Sequence, residues 1–180
     1  GPVLVTHWGM SGPAVLELSA WGARELAARG YEFSVQVNWI GIANEAEVTS
    51  AIDDAMPDIR KKKVANACPF ELPKKFWAFL LARAEVPVDA VWLDLGKKAK
   101  NKLINTLLND VYEVRGKTTF KEEFVTCGGV VLSEVDFVKM QSRVIPGLYF
   151  AGEVLDVDGV TGGFNFQAAW TTGFVAGRLD

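Results

Sequence analysis

The 180-residue sequence predicts an α+β fold in which a small helical unit is inserted between β segments. Three observations predict it. Apolar and polar residues alternate over residues 33–39, as in a half-buried strand, and two later segments carry apolar residues at helical spacing. The C-terminal part combines a short apolar run, a glycine-rich loop and a helix rich in small residues. The apolar fraction of 49% and the charged fraction of 23% exclude a disordered chain.

Composition narrows the class of protein further. The net charge is −3, from 19 Lys and Arg against 22 Asp and Glu, which argues against a uniformly basic nucleic-acid binder. The cysteines, Cys68 and Cys127, form no CxxC motif, and the single histidine excludes a His-based zinc site, so we expect no metal centre. No apolar run approaches the ~20 residues that a bilayer needs, and no signal peptide opens the chain. We therefore expect a cytoplasmic protein without a membrane partner.

The N-terminal elements follow in order. The β-branched segment Val3–Trp8 predicts a strand, and Ser11 is the expected N-cap of a helix with Pro13 in its first turn. Gly30 stands where that helix should stop. The alternation over residues 33–39 then predicts the second strand, with its odd-numbered residues turned inward.

Residues 44–110 have helical character. Pro73 opens a predicted helix, and a second helix follows before strand-like sequence resumes at Tyr112–Phe120 and Glu123–Thr126. The apolar stripes of the two helices are Phe76, Trp77, Leu80, Leu81 and Ala84, and Leu103, Ile104, Leu107, Leu108 and Val111. A turn, Cys127-Gly128-Gly129, ends this part of the chain.

Charge is concentrated in the helical part. Residues 60–102 hold 11 Lys and Arg and 4 Asp and Glu. Such a segment forms either an anion-binding surface or the solvated faces of amphipathic helices. We favour the solvated faces, because no aromatic platform is interleaved with the lysines. A non-catalytic module that docks an anionic partner such as RNA stays the alternative function.

No catalytic residue is identified by the sequence. His7 lies where a strand meets a helix, but it has no evident Asp or Ser partner, so a structural role is favoured. Cys127 lacks basic neighbours that would lower its pKa, and it is interpreted as a small buried residue that fills space.

The segment Leu148–Gly177 is the strongest candidate for a binding site. It predicts a buried strand, a loop that begins Gly152-Glu153, and a helix opened by Gly162-Gly163. Ligands of open α/β sheets lie beyond the carboxyl ends of strands and against helix N-termini, where N–H groups face a polarised or negative oxygen. An ordinary strand–turn–helix explains the same residues, and residue chemistry leaves both interpretations open.

Four stretches, however, carry a resemblance to a known family. They are THWGMSGPAVLELS near the start, FVTCGGV (Phe124–Val130), IPGLYFAGEVLDVDG (Ile145–Gly159) and TGGFNFQAAWTTG (Thr161–Gly173). In this order they resemble the bacterial NAD(FAD)-utilising dehydrogenase family, flavoproteins that include aminoacetone-oxidase-like members. The last two stretches also look like the second FAD-contacting motif of glutathione-reductase-type proteins.

The resemblance implies a domain organisation: a Rossmann-like FAD domain into which a β-barrel-like domain with a helical unit is inserted. Residues 1–43 and 111–123 would be barrel-like, 44–110 the helical insertion, and 124–180 the C-terminal part of the FAD domain. The cofactor-binding residues implied are Gly152 and Glu153 at the FAD phosphate and ribityl region, Gly162, Gly163, Phe164 and Asn165 at the flavin or pyrophosphate, and Gly128 and Gly129 near the isoalloxazine.

The sequence departs from this family at one point. A Rossmann FAD domain also needs a GxGxxG turn and an acidic residue ~20 positions later, and neither occurs here. We therefore expect a C-terminal fragment whose partner is the missing N-terminal half of the FAD domain. The parent protein would be an FAD-dependent oxidoreductase acting on a small molecule, with NAD(P)H a candidate reductant although no nicotinamide site is readable. The fragment alone is expected to hold no FAD and to be inactive. Its C-terminal part, which lacks its partners, is expected to fold back onto the barrel, to be poorly ordered, or to self-associate through an unpaired strand edge.

Overall fold

The computed structural model describes residues 1–118 and 125–178, a mixture of helices and short strands. The strands are β1 (Leu4–Val5), β2 (Met10–Ser11), β3 (Glu32–Val37), β4 (Asp110–Arg115), β5 (Val135–Asp136) and β6 (Gln141–Ser142). The helices are α1 (Pro13–Trp21), α2 (Ala23–Ala28), α3 (Glu45–Ile59), α4 (Lys74–Arg83), α5 (Lys97–Leu108) and α6 (Phe164–Ala176). The predicted mixture of helix and strand is thus present.

The strands pair as three separate ladders. β1 pairs with β2 and β5 with β6, both antiparallel, and β3 pairs with β4. The described residues of the predicted barrel-like segments, 1–43 and 111–118, therefore form two two-stranded ladders and no closed barrel. A barrel needs strands that pair on both sides, whereas β1 and β2 end after two residue pairs. Residues 119–124, which hold parts of the strands predicted at Tyr112–Phe120 and Glu123–Thr126, lie outside the described residues.

The chain divides into two compact units. Unit 1 consists of Gly1–Glu32 and Arg115–Asp180, and unit 2 of Phe33–Val114. In unit 1 the Gly116 N–H donates to the Tyr31 carbonyl over 2.9 Å, so the chain leaves this unit and returns to it at neighbouring points. The assignment of 1–43 and 111–123, 44–110 and 124–180 to domains of a longer protein stays a prediction.

Unit 2 contains the larger apolar core. The predicted stripes of α4 and α5 pack there, with Phe76 half-buried and the other residues within these helices buried. Two indole rings are fixed by their N–H groups: Trp77 donates to the Val64 carbonyl and Trp92 to the Ala67 carbonyl, both over 2.8 Å. Val111 was predicted to continue the stripe of α5, but this helix ends at Leu108. Val111 lies instead in β4, 50% exposed.

Unit 1 begins differently from the prediction. Ser11 belongs to β2, and α1 starts after Gly12, whose φ of +96° brings Pro13 to the first helical position. No side chain caps this helix, so the predicted Ser11 cap is wrong. The single helix predicted up to Gly30 is two helices that meet at Gly22, while Gly30 does end the segment, at φ +62°.

The C-terminal strand that the sequence predicts at 148–151 does not form. Tyr149 makes one antiparallel bridge to Gln141, and the Phe150 N–H donates to the Met140 carbonyl over 2.9 Å. Leu148 and Tyr149 are more than a third exposed, because the described part of unit 1 offers this segment no second strand to complete a sheet.

The core of unit 1 is small. Its buried residues are Val135, Met140 and Leu155, and α6 has none. Among the described helices none is both long enough and apolar enough to cross a membrane.

Candidate functional site

Two of the predicted site segments lie side by side in unit 1. Val130 and Leu155 form a parallel bridge. The Val130 N–H donates to the Val154 carbonyl over 2.8 Å, and the Asp156 N–H donates to the Val130 carbonyl over 3.1 Å. The turn Gly128-Gly129 therefore lies against the 3₁₀ turn Gly152–Val154, although the two are far apart in sequence. We call this pair of turns the glycine cradle.

Gly129 is required by close packing in the cradle. A Cβ added there would lie 2.6 Å from the Val154 carbonyl oxygen and from the Leu155 carbonyl carbon. Its φ of +154° is also one that side chains rarely adopt. Gly128 has a φ of +109° with open space around it, so its backbone stays accessible.

Gly152 joins the cradle to α6. Its N–H donates to Thr172 Oγ1 over 3.0 Å, and that hydroxyl donates to the Ala168 carbonyl over 2.7 Å. Gly152 has a φ of +78°, and a Cβ there would meet nothing within 4 Å. Glu153 follows with an exposed carboxylate that no described residue pairs. The backbone of Gly152 and the carboxylate of Glu153 are thus both accessible to a ligand.

The N-terminus of α6 forms the second part of the site. Gly163 precedes the helix in the left-handed conformation, φ +88°, and no side chain caps the helix. Gly162, at φ +146°, lies against the exposed Phe164 ring. The first turn therefore keeps N–H groups without a side-chain acceptor.

Asn165 has a role that the sequence did not indicate. Its amide Nδ2–H donates to the Gly159 carbonyl and its Oδ1 accepts from the Gly159 N–H, both over 2.8 Å. The side chain thereby closes the loop before α6 instead of extending toward a ligand. Thr172 was also missed, because a threonine inside a helix carries no signal of what it bonds across the fold.

The two parts of the site are separated along α6. Thr172, which binds Gly152, lies eight residues after Phe164, and a rise of 1.5 Å per residue makes that separation about 12 Å along the helix. A site with contacts this far apart suits an elongated ligand better than a compact one.

Charged groups border the cradle. Arg24 forms an ion pair of 2.5 Å with Asp156. A hydrogen bond to Asp158, with smaller contributions from burial and from Asp156, raises the pKa of the Cys127 thiol. This favours the neutral thiol and argues against a nucleophilic role for Cys127.

Within the described residues, neither a catalytic role for His7 nor a metal site has support. The His7 ring lies 3.9 Å from the Trp8 ring and makes no hydrogen bond to a described side chain that would orient it for proton transfer. No group of three or more His, Cys, Asp or Glu within residues 1–118 and 125–178 is arranged to hold a metal ion.

Comparison with known proteins places these features in a family context. A family model described as the HI0933-like protein Rossmann domain matches residues 18–179. The chain is 30% identical over 177 residues to a ribosomal RNA dihydrouridine synthase of Escherichia coli (strain K12), covering 98% of the chain and 41% of that protein. It is 32% identical over 173 residues to the enzyme of that name from Haemophilus influenzae, covering 96% and 40%.

A third relative has a different activity. The chain is 29% identical over 178 residues to a 3-dehydro-bile acid delta(4,6)-reductase of Clostridium scindens, covering 99% of the chain and 43% of that protein. The chain thus spans about two fifths of the length of these curated relatives.

Proposed function

The chain belongs to the HI0933-like Rossmann-domain family, and on that premise we propose that the protein containing it is an FAD-dependent oxidoreductase that saturates carbon–carbon double bonds. At the coarse level, family and relatives support oxidoreductase chemistry of the flavin type. The observation that carries the finer proposal is the glycine cradle, in which Gly128-Gly129 and Gly152-Glu153 meet. The narrower resemblance to aminoacetone-oxidase-like flavoproteins stays a prediction about the family and not about the activity.

The residues of the site fit a flavin dinucleotide. Gly152 and Gly128 present backbone with open space, so a cofactor would approach without meeting a side chain. The Glu153 carboxylate would accept hydrogen bonds from ribityl or ribose hydroxyls. The uncapped N-terminus of α6 at Gly163 would receive a phosphate or a flavin carbonyl. Bound FAD would supply hydride transfer, while these residues orient it and exclude water.

The substrate class is proposed from what the relatives' names share. Dihydrouridine is uridine whose C5–C6 double bond, conjugated to a carbonyl, has been saturated, and a delta(4,6)-reductase also acts on carbon–carbon double bonds. We infer that the parent protein's substrate has a double bond conjugated to a carbonyl. One carbon would receive hydride and the other a proton, and NAD(P)H is the proposed source of the electrons.

The experiment uses the full-length protein with its flavin reduced anaerobically. Mixing with an unsaturated 3-keto steroid, or with uridine-containing ribosomal RNA, should reoxidise the flavin and give a product heavier by two hydrogens. A flavin-loaded protein that neither substrate reoxidises would overturn the proposed substrate class. A protein that purifies without flavin and binds RNA in a salt-sensitive way would support the non-catalytic module instead.

A further inference from the structure

Unit 2 carries a second feature that the cofactor site does not use: a concentration of cations. They lie in the segment Arg60–Lys63, at the end of α3, and in the first turn of α5, at Lys97 and Lys98. All six side chains belong to exposed residues. We call these six residues the basic surface.

Backbone hydrogen bonds bring the two parts of the basic surface together. The Leu93 N–H donates to the Arg60 carbonyl over 2.9 Å, and the Trp92 N–H donates to the Lys62 carbonyl over 3.2 Å. Lys63 and Val91 form an antiparallel bridge in the same stretch. Lys97 follows Leu93 by four residues, so their Cα atoms lie within about 14 Å of each other. The six cations therefore belong to one region of unit 2.

The segments that carry the basic surface are firmly held. Trp92, which follows the bridged Val91, is buried and donates its indole N–H to the Ala67 carbonyl. Val64, directly after Lys63, is fully buried and accepts from the Trp77 indole. The cations thus stand on ordered backbone beside the core.

The charge of the basic surface is only partly balanced by the protein: Lys102 and, to a smaller extent, Lys98 lower the pKa of the Glu85 carboxyl. Lys100 pairs with Asp53 over 2.7 Å and Lys102 with Glu85 over 2.6 Å, whereas none of the six cations forms an ion pair within the fully described unit 2. Asp94 is the one acidic residue of segments 60–63 and 90–102. Like charges this close repel one another, and the dipole of α5 disfavours cations in its first turn, which holds no acidic residue. Helix stability therefore does not account for this placement.

We infer that the basic surface docks the phosphate backbone of a structured RNA. Exposed cations spread over two neighbouring segments match an array of phosphates better than one small anion in a pocket. The exposed face of α5 continues past Lys98 with Asn101, whose amide suits sugar hydroxyls and base edges. This deepens the proposed function, on which it rests, by making RNA the polymer that carries the reducible base.

The test measures RNA binding by the full-length, flavin-loaded protein. The probe is a base-paired RNA hairpin, with a DNA hairpin of the same sequence for comparison, followed by fluorescence anisotropy over a range of salt concentrations. The variant combines Lys61→Gln, Lys62→Gln and Lys63→Gln. The matched control removes three exposed lysines elsewhere, with Lys74→Gln, Lys75→Gln and Lys139→Gln.

The basic-surface variant should bind the RNA hairpin about tenfold or more weakly, with the slope of log K against log salt reduced by about two, as expected for lost phosphate contacts. The control should change affinity by less than about twofold at the same salt. Equal losses in both variants, equal affinity for the DNA hairpin, or tighter binding to anionic lipid vesicles than to RNA would each overturn the inference.

Two further readouts separate failure of this inference from failure of the proposed function. Flavin content, thermal unfolding and reoxidation of the reduced flavin by a small conjugated ketone should all be unchanged in the basic-surface variant. Loss of RNA binding with these properties intact supports the basic surface specifically. Normal flavin chemistry in a wild-type protein that does not bind the hairpin overturns the basic surface and leaves the oxidoreductase standing.

Discussion

At the residue scale, Gly129 is the most constrained position of the glycine cradle. Gly129→Ala should lower the local stability of unit 1 by roughly 2–4 kcal/mol, because the new methyl group meets the Val154 carbonyl and the backbone conformation is strained. Amide exchange of Val130 and Asp156, whose N–H groups bond across the cradle, measures the effect. Gly128→Ala is the matched control, since it adds strain of about 1–2 kcal/mol without a close contact. Equal exchange rates in the two variants would show that close packing does not matter here.

Glu153 provides the corresponding prediction for the cofactor. In the full-length protein, Glu153→Ala should weaken FAD binding by roughly 10- to 100-fold, because it removes a charge-assisted hydrogen bond worth about 1.5–3 kcal/mol. Equilibrium dialysis or flavin fluorescence measures this affinity. Glu134→Ala removes another exposed glutamate, also from a 3₁₀ turn of unit 1, and should leave FAD affinity unchanged. Unaltered affinity in the Glu153 variant would assign that residue another role.

In unit 2, Asp110 is a buried carboxylate held by the side chains of three residues. It is 4% exposed and accepts from both Nε and Nη2 of Arg83, from the Trp39 indole N–H and from the Tyr112 hydroxyl. Desolvation raises the pKa of Asp110, but these hydrogen bonds together outweigh it, and the pKa lies below its ordinary value. Burial and the hydrogen bond to Asp110 raise the pKa of Tyr112.

The sign of the pH dependence follows from this lowered pKa. The stability that Asp110 contributes is complete above its unfolded pKa of about 3.9 and is lost as the pH falls through the lower folded value. Asp110→Asn should therefore cost about 1–3 kcal/mol at neutral pH and flatten the loss of stability below about pH 4. Urea unfolding across this range measures both effects. A variant with the wild-type acid dependence would show that other carboxylates control acid unfolding.

Residue chemistry singled out the glycines of the candidate site, whose binding role stays a prediction, but it did not indicate which residues they contact. The glycines at 128–129, 152 and 162–163 are detectable because an unusual density of glycine signals positive φ or close approach. The contact of Gly129 with the 3₁₀ turn at 152–154 joins residues far apart in sequence, and no local pattern encodes it. Asn165 was assigned to the cofactor for its position, while its amide is fully engaged by Gly159.

At the element scale, α6 leaves its large apolar side chains exposed. Phe164, Phe166, Trp170 and Phe174 are each 60–71% exposed, and no residue of this helix is buried. Exposed apolar surface is unfavourable by about 25 cal/mol per Å² relative to burial, so the isolated 180-residue chain should self-associate. Light scattering should report oligomers, and Phe166→Lys with Trp170→Lys should shift them toward the monomer. A wild-type chain that is already monomeric contradicts this prediction.

Helices whose apolar stripe packs within unit 2 were predictable from the sequence. A strand that depends on pairing with other strands was not. The stripes of α4 and α5 bury their apolar residues within unit 2, so periodicity alone located them. Residues 148–151 have strand composition, yet a strand needs neighbours on both sides to be buried. The described part of unit 1 supplies one bridge, at Gln141.

At the scale of the whole molecule, the 180-residue chain holds only one part of the proposed dinucleotide site. It contains the glycine cradle and the start of α6 but no GxGxxG turn for the pyrophosphate. We therefore expect this chain, purified alone, to contain no FAD and to show no oxidoreductase activity. Flavin extraction and absorbance measure this directly, with the full-length protein as the control. Stoichiometric FAD in the isolated chain would contradict the prediction.

The hydrogen bond between Gly116 and Tyr31 closes the backbone of unit 1 around the point where unit 2 departs. An insertion whose two ends meet adds little loop-closure entropy, and that entropy grows slowly with the length of the insertion. Unit 2 thus has the properties of an insertion whose length and sequence can change with little effect on the fold of unit 1. We therefore expect homologues to differ more in the size and surface charge of unit 2 than in those of unit 1.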